Sequence, residues 1–225
     1  MSGAPLNGVN VVYLTGDVDC FNTDNTRRFF AVRASKREII VDIETLDTAR
    51  SAVIASIGAV CIKIGAGTTP EIVDTFYARV RHHHPDTGDL HADQAGRTTS
   101  DETLEWWKLQ STKALVEALG HPEHKRHPLS HAVASLGQWL DQYPESGIWA
   151  KGSDFDNAIL SDVFSFHGRA WPFRRSRCLR TPVAVAQYIT GRTPTLPTRK
   201  PALIPHHALH DAIHEGYELA AMVAP

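Results

Sequence analysis

The sequence predicts an α/β fold built on a mixed β-sheet with helices on both faces. Two observations carry this. Three strand-like runs come first, and shorter strand-like runs then alternate with segments of helical period. A third supports them: of 225 residues, 42% are hydrophobic and 21% charged, which excludes wholesale disorder and leaves enough apolar material for a real core.

Residues 1–37 form a poorly patterned extension. Its VNVVYLT run has strand character, but Gly16 to Arg28 is polar and acidic. The readable domain spans 38–225. IIVDIE, a β-branched run over 39–44 bounded by polar residues, predicts a buried strand, and AVIASIGAVCIKI (52–64) a second. Gly65–Pro70 supplies a turn, and EIVDTFYARV (71–80) alternates as a third strand. After a polar loop over 81–99, Thr103 to Ala118 has helical spacing, with Leu104, Trp107, Leu115 and Leu119 near one face. A second polar loop (121–131) precedes a helix over 132–140. GIWAKG (147–152) is a short strand, followed by a helix from Ser153 to about Phe166. SRCLRT (176–181) is a strand leading into the helix VAVAQYI. Residues 191–205 hold four prolines and read as loop. The last helix, 208–223, places Leu209, Ala212, Ile213, Gly216, Leu219 and Ala220 on an apolar face.

Lys+Arg total 23 and Asp+Glu 25, so a basic coat over the whole surface is excluded, though a local basic patch is not. No apolar run approaches ~18 residues, so no membrane span is expected. The first residues lack the positive start and long apolar core of a secretory signal. Cys20, Cys61 and Cys178 are an odd number without paired spacing and read as reduced thiols in a cytosolic protein.

Several residues could carry chemistry. Asp42 and Glu44 stand two apart in a strand, so both carboxylates share one face. Buried together they need a partner, and a divalent cation such as Mg²⁺ or Mn²⁺ suits hard oxygen ligands. A strand end in water would equally accommodate them. Asp156 follows a strand near a helix start, where it also fits the Ser153-x-x-Asp156 spacing of a capping box. Asp211 lies in the last helix, where a solvated face is the plain alternative. His207 is four residues before Asp211 and shares its face on a continuous helix. His206 points elsewhere unless the helix starts after it, as Pro205 favours. His210 and His214 are expected on the solvated side.

Trp106 and Trp107 point about 100° apart on a helix, so one packs inside and the other is free to stack on a base. Their plain alternative is burial at a helix or subunit contact. Arg169, Arg174, Arg175, Arg177 and Arg180 form the densest basic stretch, either a phosphate-contacting edge or a solvated run. Histidines 82–84, 91, 121, 124, 127 and 131 lack the cysteines or ordered pairs of a zinc site, which is not expected there.

Taken in order, IVDIETLDTARSAVIASIGAV, TLEWWKLQS, GSDFDNAIL and HHALHDA resemble the DEDDh 3′–5′ exonucleases of the ribonuclease H-like superfamily. The resemblance is strongest to the phage exodeoxyribonuclease A and bacterial exoribonuclease AS branch, and it covers residues 39 to about 222. It implies a ribonuclease H-like sheet. It also implies two Mg²⁺ or Mn²⁺ ions per active site, held by Asp42, Glu44, Asp156 and Asp211, with His206 as the histidine five before the last aspartate. Trp106, Trp107, Arg174 and Arg180 become substrate-binding candidates. One departure is Cys178, in CLRT, where such sequences often carry an aspartate.

The implied activity is release of nucleoside 5′-monophosphates from single-stranded DNA or RNA 3′ ends, in the cytoplasm (the host's, if the gene is viral), with a homodimer compatible. A catalytically silent nucleic-acid-binding module on the same fold is the alternative, and intact acids argue against it. A structural protein would need four coincidences in order.

Overall fold

The computed structural model describes residues 35–84, 87–120, 122 and 125–223. The extension at 1–37, with its VNVVYLT run, lies outside the described residues up to Ala34, while Lys36 and Arg37 already belong to the first strand.

Strands β1 (Lys36–Thr45), β2 (Ile54–Ile64) and β3 (Glu71–Arg79) form an antiparallel meander. β4 (Ile148–Ala150) and β5 (Ser176–Cys178) add in parallel on the other side of β1, giving the order β3-β2-β1-β4-β5. The helices are α1 (Asp101–Lys108), α2 (Thr112–Leu115), α3 (Leu129–Asp141), α4 (Asp156–Phe166), α5 (Arg180–Thr190) and α6 (Ala208–Val223).

Alternation along β1 sorts its side chains between two cores. Ile39, Val41 and Ile43 pack with Leu136 and Leu140 of α3 and Leu160 and Val163 of α4. Ile40, on the opposite face, packs with Ala212, Leu219 and Ala220 of α6. Helices therefore cover both faces, as the sequence predicts. Asp42 and Glu44 lie on the α6 face, which places them under the start of that helix. A third cluster, Leu46, Val53, Ala55, Trp107, Ala114 and Ala118, closes the end of the sheet where β1 stops.

The single helix expected over 103–118 is instead two. Ser100 caps α1 by accepting from the Thr103 amide, and the helix ends at Lys108. Ser111 then caps α2 by accepting from the Ala114 amide, and a π-helical turn at Val116–Gly120 follows. Two serine caps eleven residues apart outweigh the continuous apolar spacing.

Gly58 of β2 pairs directly with Asp42. A Cβ there would lie 2.2 Å from both the Ala208 carbonyl carbon and the Leu209 nitrogen. The first turn of α6 thus rests on bare backbone beside the carboxylate strand. Gly58→Ala should push that turn outward, lowering stability by ~1–3 kcal/mol or more, as overpacking does. Urea unfolding checks this; wild-type stability would show that the contact does not position the helix.

Candidate active site

Three elements bring carboxylates to one place. β1 supplies Asp42 and Glu44, the first turn of α4 supplies Asp156, and the first turn of α6 supplies Asp211. Glu44 and Asp156 are buried, at 7% and 6% exposure. Asp156 Oδ1 accepts from the Ile43 amide at 3.2 Å, which ties the start of α4 to β1 between the two strand acids. The Asp42 Oδ2 atom is buried and has no hydrogen-bond partner among the described residues.

Mutual repulsion and burial set the electrostatics. Desolvation holds the Asp42 carboxyl well above the usual carboxylate range, and Glu44 raises it further. Desolvation does the same to Glu44, with Asp211 next. Asp156 is pushed up to about 7 by burial, despite its amide hydrogen bonds. Arg199, from the proline-rich loop, donates to Asp211 Oδ1, and its charge opposes the rise at Glu44. Sequence reading did not find Arg199, because nothing in its local spacing points to Asp211.

His206 sits at φ 60°, the left-handed region that a β-carbon disfavours. Its amide donates to Asp211 Oδ2 at 2.9 Å, which holds the backbone there. Its ring meets Trp106 edge-on, with centroids 4.8 Å apart. Ligand atoms of Glu44, His206 and Asp211 lie within 4.8 Å of one another. A hard-oxygen donor set with an orphaned, buried carboxylate oxygen fits a divalent cation.

Beside these groups opens a cavity of about 360 Å³, lined among others by Glu44, Asp47, Glu102, Trp106 and Phe155. Trp107 is buried and donates from Nε1 to the Thr45 carbonyl at 2.9 Å, pinning the end of β1. Trp106 is 41% exposed and faces the cavity. The tryptophan pair therefore divides as expected, one in the core and one at the surface.

Residues 37–223 match the Rv2179c-like 3′–5′ exoribonuclease domain. The chain belongs to that family. An exodeoxyribonuclease of Enterobacteria phage T4 is 24% identical over 198 residues, covering 79% of this chain and 83% of the phage protein. E. coli exonuclease I, crystallised with a dA13 oligonucleotide, superposes with a TM-score of 0.54 at 14% identity, over 84% of this chain. Cell-death related nuclease 4 gives 0.56 at 12% identity, over 84% of this chain and 64% of its own. The chain spans only 40% of exonuclease I. The ribonuclease H-like fold and the 3′–5′ exonuclease class expected from the sequence both stand, and Glu44, His206 and Asp211 form a group able to hold a metal ion.

Within this Rv2179c-like domain the remaining candidates scatter. Arg180 lies at the start of α5 beside Gly152, and its charge lowers Asp156. Arg174 precedes β5, which runs parallel to β1, so it sits at the opposite end of the sheet from the acids. Arg175 there donates to the Ser146 and Tyr143 carbonyls, both at 2.8 Å, and Arg177 to the Arg174 carbonyl. Arg169 pairs with Asp141. Of the arginine run, Arg180 alone borders the carboxylates, and Arg174 lies away from them.

The histidines expected on the solvated side are also corrected, and His207 beside them is buried: it packs on Tyr77 and His210 with ring centroids 4.6 and 3.9 Å away and lies 3.9 Å from Glu117. Burial lowers its proton affinity. His210 accepts from the Ile204 amide at 3.0 Å and so clamps the loop before α6. His214 is buried and sits 3.4 Å from Glu218. Elsewhere, His82 and His83 approach through their Nδ1 atoms at 2.8 Å and His127 stacks on His131 of α3, but no third ligand joins either pair among the described residues. His121 and His124 lie outside them.

One acid was missed. Glu215 is buried on α6, its Oε2 has no hydrogen-bond partner among the described residues, and desolvation with Asp156 pushes it up to about 9. Its spacing of four from Asp211 was the available signal.

Proposed function

We propose that this domain trims single-stranded nucleic acid from its 3′ end by a two-metal mechanism. In this reading Asp42, Glu44, Asp156 and Asp211 hold two Mg²⁺ or Mn²⁺ ions, and His206 is the general base. The observation that carries it is the convergence of four carboxylates from three elements, partly buried, with one oxygen left unpaired. Bound there, the ions would supply Lewis-acid activation of a water and offset charge on the departing 3′ oxygen.

The chain's own residues do the rest. His206 accepts the proton of the attacking water, its backbone fixed by Asp211. The water oxygen bonds to phosphorus as the bond to the 3′ oxygen breaks, and that oxygen takes a proton from solvent. The product is a nucleoside 5′-monophosphate. Trp106 stacks on the terminal base in the adjoining cavity, and Arg180 faces a phosphate. The cytoplasmic setting belongs to this proposal too, supported by free thiols at Cys61 and Cys178.

RNA is the first substrate to assay, given the family, with matched DNA beside it. Trp106→Ala should raise KM by ~5–100-fold, the equivalent of ~1–3 kcal/mol per stacked base, with a smaller change in kcat. Steady-state kinetics on a 3′-labelled oligonucleotide measures this. An unchanged KM would return Trp106 to a packing role.

A further inference from the structure

We propose that Glu215 is a fifth carboxylate of the divalent-metal centre. This rests on the metal-site reading above and extends it beyond the four motif acids.

The geometry has three parts. First, Glu215 is one helical turn after Asp211 on α6, so the two side chains project from the same face. That face is held close to the sheet: Gly216 leaves only 3.3 Å between its would-be Cβ and Ile62 Cδ1, with Ile40 Cδ1 at 3.5 Å. Ile40 is two residues before Asp42 on the same side of β1. Second, Glu215 is 5% exposed, and its Oε2 is buried without a partner among the described residues. Third, its charge is felt at Asp42 and Glu44, and Asp156 acts on it in turn, in accord with the face that its spacing from Asp211 gives it.

The neighbouring acid shows the contrast. Glu218 is equally buried, yet Lys151 pairs with it at 2.8 Å and His214 lies 3.4 Å away. That is how a buried structural glutamate is satisfied. Glu215 forms no ion pair among the described residues: the Lys151 charge reaches it, but the ammonium is bonded to Glu218. Two orphaned carboxylate oxygens, on Asp42 and Glu215, in one buried acid cluster point to a cation that both serve, directly or through its water.

The test is Mn²⁺ binding by titration calorimetry on the full chain, without substrate, for wild type, E215Q, E215M and D42N. Both neutral variants at Glu215 should fold in metal-free buffer and bind Mn²⁺ ~10–100-fold more weakly, the usual consequence of losing a supporting ligand. E215D, which keeps the charge, should recover part of the affinity. Wild-type Mn²⁺ affinity in E215Q and E215M, with D42N weakened, would overturn the fifth-carboxylate assignment alone. Wild-type affinity in D42N as well would overturn the metal-site reading itself. Failure of both neutral variants to fold without metal would also overturn the assignment, since a carboxylate serving the ion is not needed before it binds.

Discussion

Asp42→Asn is expected to abolish hydrolysis while leaving the metal-free protein as stable as wild type or more so. Asparagine keeps the size and removes a charge that burial and Glu44 already disfavour. The same change removes a metal ligand, so turnover should fall below detection. The metal-free protein also has a signed pH dependence. Asp156 and Glu215 are raised to about 7 and about 9, above unfolded values of ~3.9 and ~4.3. A raised acid means that the folded chain binds more protons than the unfolded one. Metal-free stability is therefore fullest at acidic pH and is lost as pH climbs through 7 toward 9. In D42N this decline should be shallower, because one repelling charge is gone. Thermal melts in chelator from about pH 5 to about pH 9 read it. Wild-type turnover in D42N would remove Asp42 from the centre, and a much lower metal-free Tm would give it a structural role instead.

His206→Ala is expected to lower kcat by ~10²–10⁴-fold, the usual contribution of a general base, while Mn²⁺ still binds. Raising pH should partly restore the rate, because hydroxide replaces the missing base. His207→Ala separates from it cleanly. The His207 side chain is packed between Tyr77 and His210 beside Glu117. Its loss should cost on the order of 2 kcal/mol in stability, as large-to-small interior changes do, with the folded fraction retaining most of its kcat. A crippled kcat in fully folded His207→Ala, with His206→Ala near normal, would exchange their roles.

The sheet and the shared face of Asp42 and Glu44 were legible because alternation is a strong signal, whereas Asp156 and Asp211 were singled out only by the family resemblance. Ile39, Val41 and Ile43 against Ile40, Asp42 and Glu44 already separate the two faces of β1. The last helix was legible to the residue, since Pro205 and an apolar stripe fix its ends. What failed was local spacing where a distant partner decides. Glu215 looked like any polar position on an amphipathic helix until β1 and α4 brought other acids against it. His210 and His214 read as solvated for the same reason. Density within the basic run says nothing about which end of a parallel strand Arg174 occupies. The break at Leu109–Ser111 was hidden because the apolar spacing continues through it, and only the Ser111 cap ends the pattern.

The central claim is tested most directly by the first product released from a single-stranded RNA labelled at its 3′ end, with Mn²⁺ and with chelator, and with a 5′-labelled copy beside it. The account predicts a labelled mononucleotide as the first product in Mn²⁺, a ladder shortening one residue at a time from the 5′-labelled copy, and no cleavage in chelator or with D42N. Mononucleotide release first from the 5′ end, internal fragments, or full activity in chelator would contradict it.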